Sequence, residues 1–170
     1  ADEFMNYEAD FRSISDTAGF ILVYPQALED PNDGNSTNWL HKEPTDHKDI
    51  FFIEALIDSI STNYNIDENR VYACGYSLGG MFSYELACQL NHKITAITSV
   101  AGAAFLGAFS SCELSHPTAV LSINGTDDGI HPYSDTNGWY FTVPEINNYW
   151  ATYNNTDLNP IITELPDINN

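Results

Sequence analysis

A chain of 170 residues with 43% hydrophobic and 13% aromatic side chains can build one domain with its own core, and it is not a disordered composition. Five Lys+Arg against 24 Asp+Glu leave a formal net charge of −19, which repels phosphate backbones and anionic lipid and excludes nucleic-acid and membrane-surface partners. No stretch reaches the apolar length of a membrane span, and Cys74, Cys88 and Cys112 match no zinc spacing, so no metal site is expected.

The chain opens on "ADEFMNYEADF", which has no initiator Met and no basic leader and reads like the middle of a longer protein. Tyr7, Phe11, Ile14 and Ala18 recur at helical spacing and predict a helix that stops near Gly19. "FILVYP" (20–25) is a continuous apolar run ended by proline, which predicts a strand buried on both faces. The polar stretch that follows predicts a long loop bordering a pocket; its "DPNDG" is an ordinary turn rather than a calcium loop, being out of EF-hand register. Ile53, Leu56, Ile57, Ile60 and Tyr64 mark a second amphipathic helix. "VYACGY" predicts a buried strand with Cys74 as a small apolar residue inside it, followed by a helix on Phe82, Leu86 and Leu90. "ITAITSVAG" (94–102) and "TAVLSING" (118–125) predict two more strands. A helix is expected near Pro144–Tyr153, with proline in its first turn, and "IITELP" (161–166) reads as the start of another strand. Helices alternating with buried strands predict a single α/β domain over 1–170 with a mostly parallel sheet flanked by helices.

Gly75-Tyr76-Ser77-Leu78-Gly79 fits G-x-S-x-G between a predicted strand and a predicted helix. In that context the glycines let strand and helix approach, and the serine sits in a strained turn that lifts its hydroxyl outward. The first helical N–H groups, that of Leu78 among them, would meet a developing oxyanion. The competing reading is a glycine-rich turn with an incidental serine. A serine hydroxyl needs a base, and the base an orienting acid. Asp127 and Asp128, just past "TAVLSI", are the candidates for that acid, against the alternative of a solvated Asp-Asp-Gly turn.

With those features in view, the chain resembles the polyhydroxybutyrate-depolymerase and feruloyl-esterase group of α/β-hydrolases, related to carbohydrate esterase family one. The resemblance rests on "GFILVYPQ", "DIFFIEALIDSI", "IDENRVYACGYSLGGMFSYELAC", "ITAITSVAG" and "NGTDDGIHPY". It implies a serine carboxylic-ester hydrolase forming an acyl-enzyme on aryl, acetyl or short polyester substrates, without metal or organic cofactor, in a secreted or periplasmic protein. It places the catalytic acid on Asp128 rather than Asp127, sets Asn124 where the family often has histidine, and matches Trp39 to an aromatic lining the acyl pocket, though a packed tryptophan anchoring the loop is an equal alternative. The family's N-terminal oxyanion loop and its C-terminal catalytic histidine are expected outside residues 1–170, leaving a truncated α/β-hydrolase core, incomplete at both ends. Open sheet edges then favour direct pairing of the strands either side of the gap, or a homo-oligomer. Of the histidines inside the chain, His131 is the best stand-in base but reads more simply as a loop histidine; His41 and His47 lie in the long loop, His92 at a helix end and His116 in a surface turn. Cys88 and Cys112 are able to pair if the chain is secreted. The alternative function is a catalytically impaired fragment that folds or oligomerises without turnover.

Overall fold

A computed structural model describes residues 9–31, 34–39, 47–110, 112, 114–134 and 138–165, and the chain divides into two compact units, Ala1–Ser59 and Ile60–Asn170. In the first unit, helix α1 covers Arg12–Ala18. Gly19 stops it at φ 70°, where a side chain would be strained, and its N–H closes on the Ser15 carbonyl at 2.9 Å. Tyr7 lies outside the described residues, and Phe11 and Ile14 are exposed.

The strand predicted at 20–25 is absent. Residues 20–28 join no ladder, and Phe20, Ile21 and Val23 are all exposed. An apolar run supplies the side chains of a buried strand but not the neighbouring strand whose N–H and C=O groups make it one. The chain then turns back on itself: β1 (Glu29–Asp30) pairs antiparallel with β2 (Ser36–Thr37). Gly34 and Asn35 take successive left-handed conformations, and the Asn35 N–H donates to the Asp30 carbonyl at 3.0 Å. Helix α2 runs over Lys48–Asn63 as its spacing predicts, burying Ile50 and Ile53, while Tyr64 falls beyond its end and is exposed.

The second unit carries strands β3 (Tyr72–Tyr76), β4 (Ala96–Val100), β5 (Ala104–Phe105), β6 (Ala119–Ile123) and β7 (Tyr140–Phe141), with helices α3 (Leu78–Gln89) and α4 (Val143–Tyr153). Strands β3, β4 and β6 form a parallel sheet in that order, in the register Tyr72–Ala96–Ala119 through Tyr76–Val100–Ile123. The expected α/β architecture of a parallel sheet with flanking helices is therefore present. Helix α3 packs on β3 and β4 and buries Met81, Phe82, Tyr84, Leu86, Ala87 and Cys88.

Burial differs from expectation on the other side of the sheet. Tyr72, Cys74 and Tyr76 of β3, and Leu121 and Ile123 of β6, alternate along their strands and are exposed, so these strands are covered on one face. Cys74 is thus not an interior residue. Strands β3 and β6 are also the sheet edges among the described residues. The strand read at 161–166 is likewise missing: residues 161–165 join no ladder, and Ile161, Ile162 and Leu165 are more than 80% exposed.

Helix α4 begins where the sequence places it. Thr142 and Glu145 form a reciprocal capping box, and Pro144 sits in the first turn, where its missing N–H costs nothing. Its Trp150 and Tyr149 meet Phe109, the latter ring stacked at 4.0 Å between centroids. The Cys88–Cys112 disulfide ties the Phe109 loop back to α3. At the amino end of the sheet, fully buried Asn91 accepts the N–H groups of Ser115 (2.6 Å) and His116 (2.9 Å) and donates to Thr118 Oγ1 at 2.7 Å. Asn154 pairs its amide with both backbone groups of Thr118, as a neighbouring strand would.

Candidate active site

The strand-to-helix turn after β3 is sharp because Ser77 adopts φ 52° and ψ −118°, a conformation that costs a non-glycine residue on the order of 1–3 kcal/mol. Two backbone bonds hold it there. The Ser77 N–H donates to the Val100 carbonyl at the end of β4 at 2.8 Å, and the Ser77 carbonyl accepts from Met81 at 3.0 Å. The Ser77 side chain makes no capping bond to its own helix. Leu78 is the first residue of α3, so its N–H has no carbonyl one turn back to bond.

The glycines around this turn are not equivalent. A Cβ on Gly75 would lie 2.1 Å from the Gly79 carbonyl carbon, so this residue must be bare for the helix to start where it does. Gly80 and Gly102 face each other across buried Ser99, whose Oγ would sit 2.6 and 2.4 Å from their added Cβ atoms. Gly79, the second glycine of the motif, has open space where its Cβ would be. Its backbone fills the space that Gly75 leaves, which the motif alone does not reveal.

Parallel strands deliver their following loops to one end of a sheet, and both Ser77 and Asp128 follow carboxyl ends, of β3 and β6 respectively. With β4 between them, these strands are about 9–10 Å apart, twice the usual strand spacing. A histidine ring hydrogen-bonded at both nitrogens spans a gap of that order. Asp128 is half-buried, and its Oδ1 accepts the N–H groups of Ile130 (2.8 Å) and His131 (2.9 Å). The His131 N–H, and then the Ile130 N–H, hold this carboxyl below the usual carboxylate range, so it stays ionised near neutrality. Asp127 is exposed.

The histidines are arranged differently. His131 is 7% exposed; its Nδ1–H donates to the Ala101 carbonyl at 2.9 Å, and its ring stands edge-on to Tyr140 at 5.0 Å. His116 sits at the amino end of β6, with Nδ1 at 2.8 Å from the Pro117 carbonyl, and His92 follows the far end of α3. His41 lies outside the described residues, and His47, like half-buried Trp39, belongs to the Ala1–Ser59 unit. Ser77, Leu78 and Asp128 thus share one end of one sheet. Asn124 ties that end together, accepting from Ser122 Oγ and donating to the Gly102 carbonyl at 3.1 Å. Among the described residues no cluster of His, Cys, Asp or Glu could hold a metal ion, and no helix is long and apolar enough to cross a membrane.

The phospholipase/carboxylesterase family matches residues 35–153, which include the Ser77 turn and the Asp128 loop. The chain belongs to this family of α/β-hydrolases. Its similar relatives carry esterase names: a bifunctional acetylxylan esterase/xylanase of Neocallimastix patriciarum is 31% identical over 141 residues, covering 81% of this chain and 19% of that protein. A probable feruloyl esterase C of Aspergillus clavatus is 32% identical over 105 residues, 61% of this chain and 36% of its own length. A feruloyl esterase D of Neurospora crassa is 30% identical over 98 residues, 58% and 32% respectively. The chain therefore spans well under half the length of these curated relatives.

Two features near the site leave no mark in the local sequence. Ala101 takes φ 49°, and a two-stranded ribbon of β5 and β7 packs Tyr140 against Phe105 at 5.1 Å and against His131. Neither leaves a local signal, because each depends on residues about 30 positions apart.

Proposed function

We propose that the protein is a serine carboxylic-ester hydrolase that forms an acyl-enzyme at Ser77. The observation that carries this reading is the positive-φ turn at Ser77, opening at the same sheet end as the ionised Asp128 carboxylate. In the reaction, Ser77 Oγ adds to the ester carbonyl carbon as its proton passes to a histidine. The tetrahedral oxyanion then takes a hydrogen bond from the Leu78 N–H at the positive end of α3. The C–O bond to the alcohol breaks, the alcohol leaves with that proton, and water repeats the sequence to free the acid. Asp128 orients the histidine and stabilises its cation. His92 and His116 sit at the other end of the sheet, and His131 spends its Nδ1–H on the Ala101 carbonyl, so the Asp128 carboxylate does not hold any of these three rings.

The relatives' names favour feruloyl esters and acetyl esters on xylan, and short polyesters are the remaining substrate class that the family resemblance implies. The resemblance alone assigns Trp39 to substrate, the chemistry it implies uses no metal or organic cofactor, and the edges of β3 and β6, unpaired among the described residues, are where a second copy would pair. A disulfide supports an oxidising, secreted or periplasmic setting. The test is labelling by a fluorophosphonate probe together with hydrolysis of methyl ferulate and p-nitrophenyl acetate. Labelling of the wild-type chain and not of Ser77→Ala supports the reading. Absence of turnover, with or without labelling, selects the impaired-fragment alternative for this chain, and ester hydrolysis that Ser77→Ala retains in full refutes the serine mechanism.

A further inference from the structure

Strand β4 ends in two successive carbonyls that point to opposite sides of the site. The Val100 carbonyl accepts the Ser77 N–H at 2.8 Å, and the Ala101 carbonyl accepts His131 Nδ1–H at 2.9 Å. Ala101 takes a left-handed φ of 49° to present its carbonyl this way, and its own N–H is held by Ile123 O at 2.8 Å. Because a carbonyl oxygen only accepts, Nδ1 of His131 carries the proton. The same residue's backbone N–H donates to Asp128 Oδ1. One residue therefore grips the Asp128 carboxylate by its main chain and the β4 terminus by its side chain, and it is sealed from solvent by the edge-on Tyr140 ring.

We propose that His131 is a positioning residue: its side-chain bond to Ala101 sets the Asp128 carboxylate relative to Ser77, so that the distance between the two halves of the site is measured across the two peptide units that meet at Ala101, just past the end of β4. The use of that distance in ester cleavage rests on the serine-hydrolase reading; the positioning itself does not. Without the bond, the turn is anchored only at its two ends, by Asn124 on the Gly102 carbonyl and by the Val143 N–H on the Tyr133 carbonyl, and the N–H groups of Ile130 and His131 between them are free to swing off the carboxylate. An apolar side chain of similar size fills the same space and supplies no such tie.

The test compares His131→Phe, which keeps the ring against Tyr140 and removes the donor, with His131→Asn, whose amide nitrogen falls near the place of Nδ1. The primary readout is the carboxyl-carbon titration of Asp128 by NMR in the oxidised full chain, with amide dispersion as the folding control. The expected result is a midpoint below the ordinary aspartate value in the wild type and in His131→Asn, and a return toward that ordinary value in His131→Phe. An Asp128 titration unchanged in His131→Phe overturns the proposal, and so does a shift that His131→Asn fails to reverse. A parallel rate assay separates the two readings. If Asp128→Asn hydrolyses p-nitrophenyl acetate at the wild-type rate, the hydrolase role of Asp128 fails while the titration still decides the role of His131. Where Asp128 does serve catalysis, His131→Phe is expected to lower kcat about tenfold or more with KM nearly unchanged, and His131→Asn to recover most of it.

Discussion

Glu85→Gln is expected to stabilise the second unit above neutral pH and to leave it unchanged in acid. Glu85 lies on α3 between fully buried Tyr84 and buried Leu86, and burial alone pushes its carboxyl from 4.5 up to about 7. In the unfolded chain the same group ionises near its ordinary value. Between the two values the folded state holds a proton that the unfolded state has released, so stability falls as pH rises through this window. Below about pH 4 the acid is neutral in both states and the penalty vanishes; above about pH 8 it is fully present. A displacement of this size corresponds to about 3 kcal/mol, and partial solvent access trims the expected gain to about 2 kcal/mol. Glutamine keeps the shape and removes the charge, and the protonated acid is an equally unpaired polar group, so at low pH the two proteins should unfold alike. Urea unfolding followed by tryptophan fluorescence at about pH 4, 6 and 8, with the disulfide intact, measures the difference. Parallel pH profiles for wild type and Glu85→Gln would refute the reasoning, because they would mean the carboxylate is solvated.

The glycines of the Ser77 turn should separate under substitution. Gly75→Ala forces its Cβ to within 2.1 Å of backbone and should cost about 3 kcal/mol or more, whereas Gly79→Ala meets nothing and should stabilise α3 by up to about 1 kcal/mol, both read by thermal unfolding. Asn91→Ala strands the buried N–H groups of Ser115 and His116 and is expected to cost about 3 kcal/mol in chemical denaturation; a cost under about 1 kcal/mol would show that water replaces the amide. Replacing both Cys88 and Cys112 by Ala opens a loop with a sequence separation of 24 and should lower stability by about 3 kcal/mol, with reductant having no further effect on the variant's midpoint.

What was legible in the sequence was whatever is encoded within a few residues. The Ser77 turn announces itself because glycine two positions before a serine, between a strand and a helix, serves a contact that has to be made there; Gly75 against Gly79 is that contact. Thr142, Pro144 and Glu145 mark the start of α4 for the same reason, each satisfying a backbone group in its own turn. The strands at 20–25 and 161–166 failed because an apolar run states a preference for burial and says nothing of whether a partner strand lies alongside. The face of Tyr72, Tyr76, Leu121 and Ile123 misled in the same way, since Leu and Ile look alike in a two-sided and a one-sided sheet.

Resemblance alone picks Asp128 as the proposed acid, and the structure adds a physical difference between it and its neighbour. Asp127 and Asp128 are indistinguishable by composition, yet only Asp128 turns its carboxylate back onto two main-chain N–H groups, one of them from the residue whose ring reaches Ala101. Ser77 is held through Val100 and Asp128 through Ala101, so the separation between the two side chains depends on the backbone conformation of Ala101, where the two peptide planes that carry these carbonyls meet. The left-handed turn at Ala101 aims the second carbonyl away from the first, and glycine there, being more flexible, would loosen the spacing that the two bonds together define.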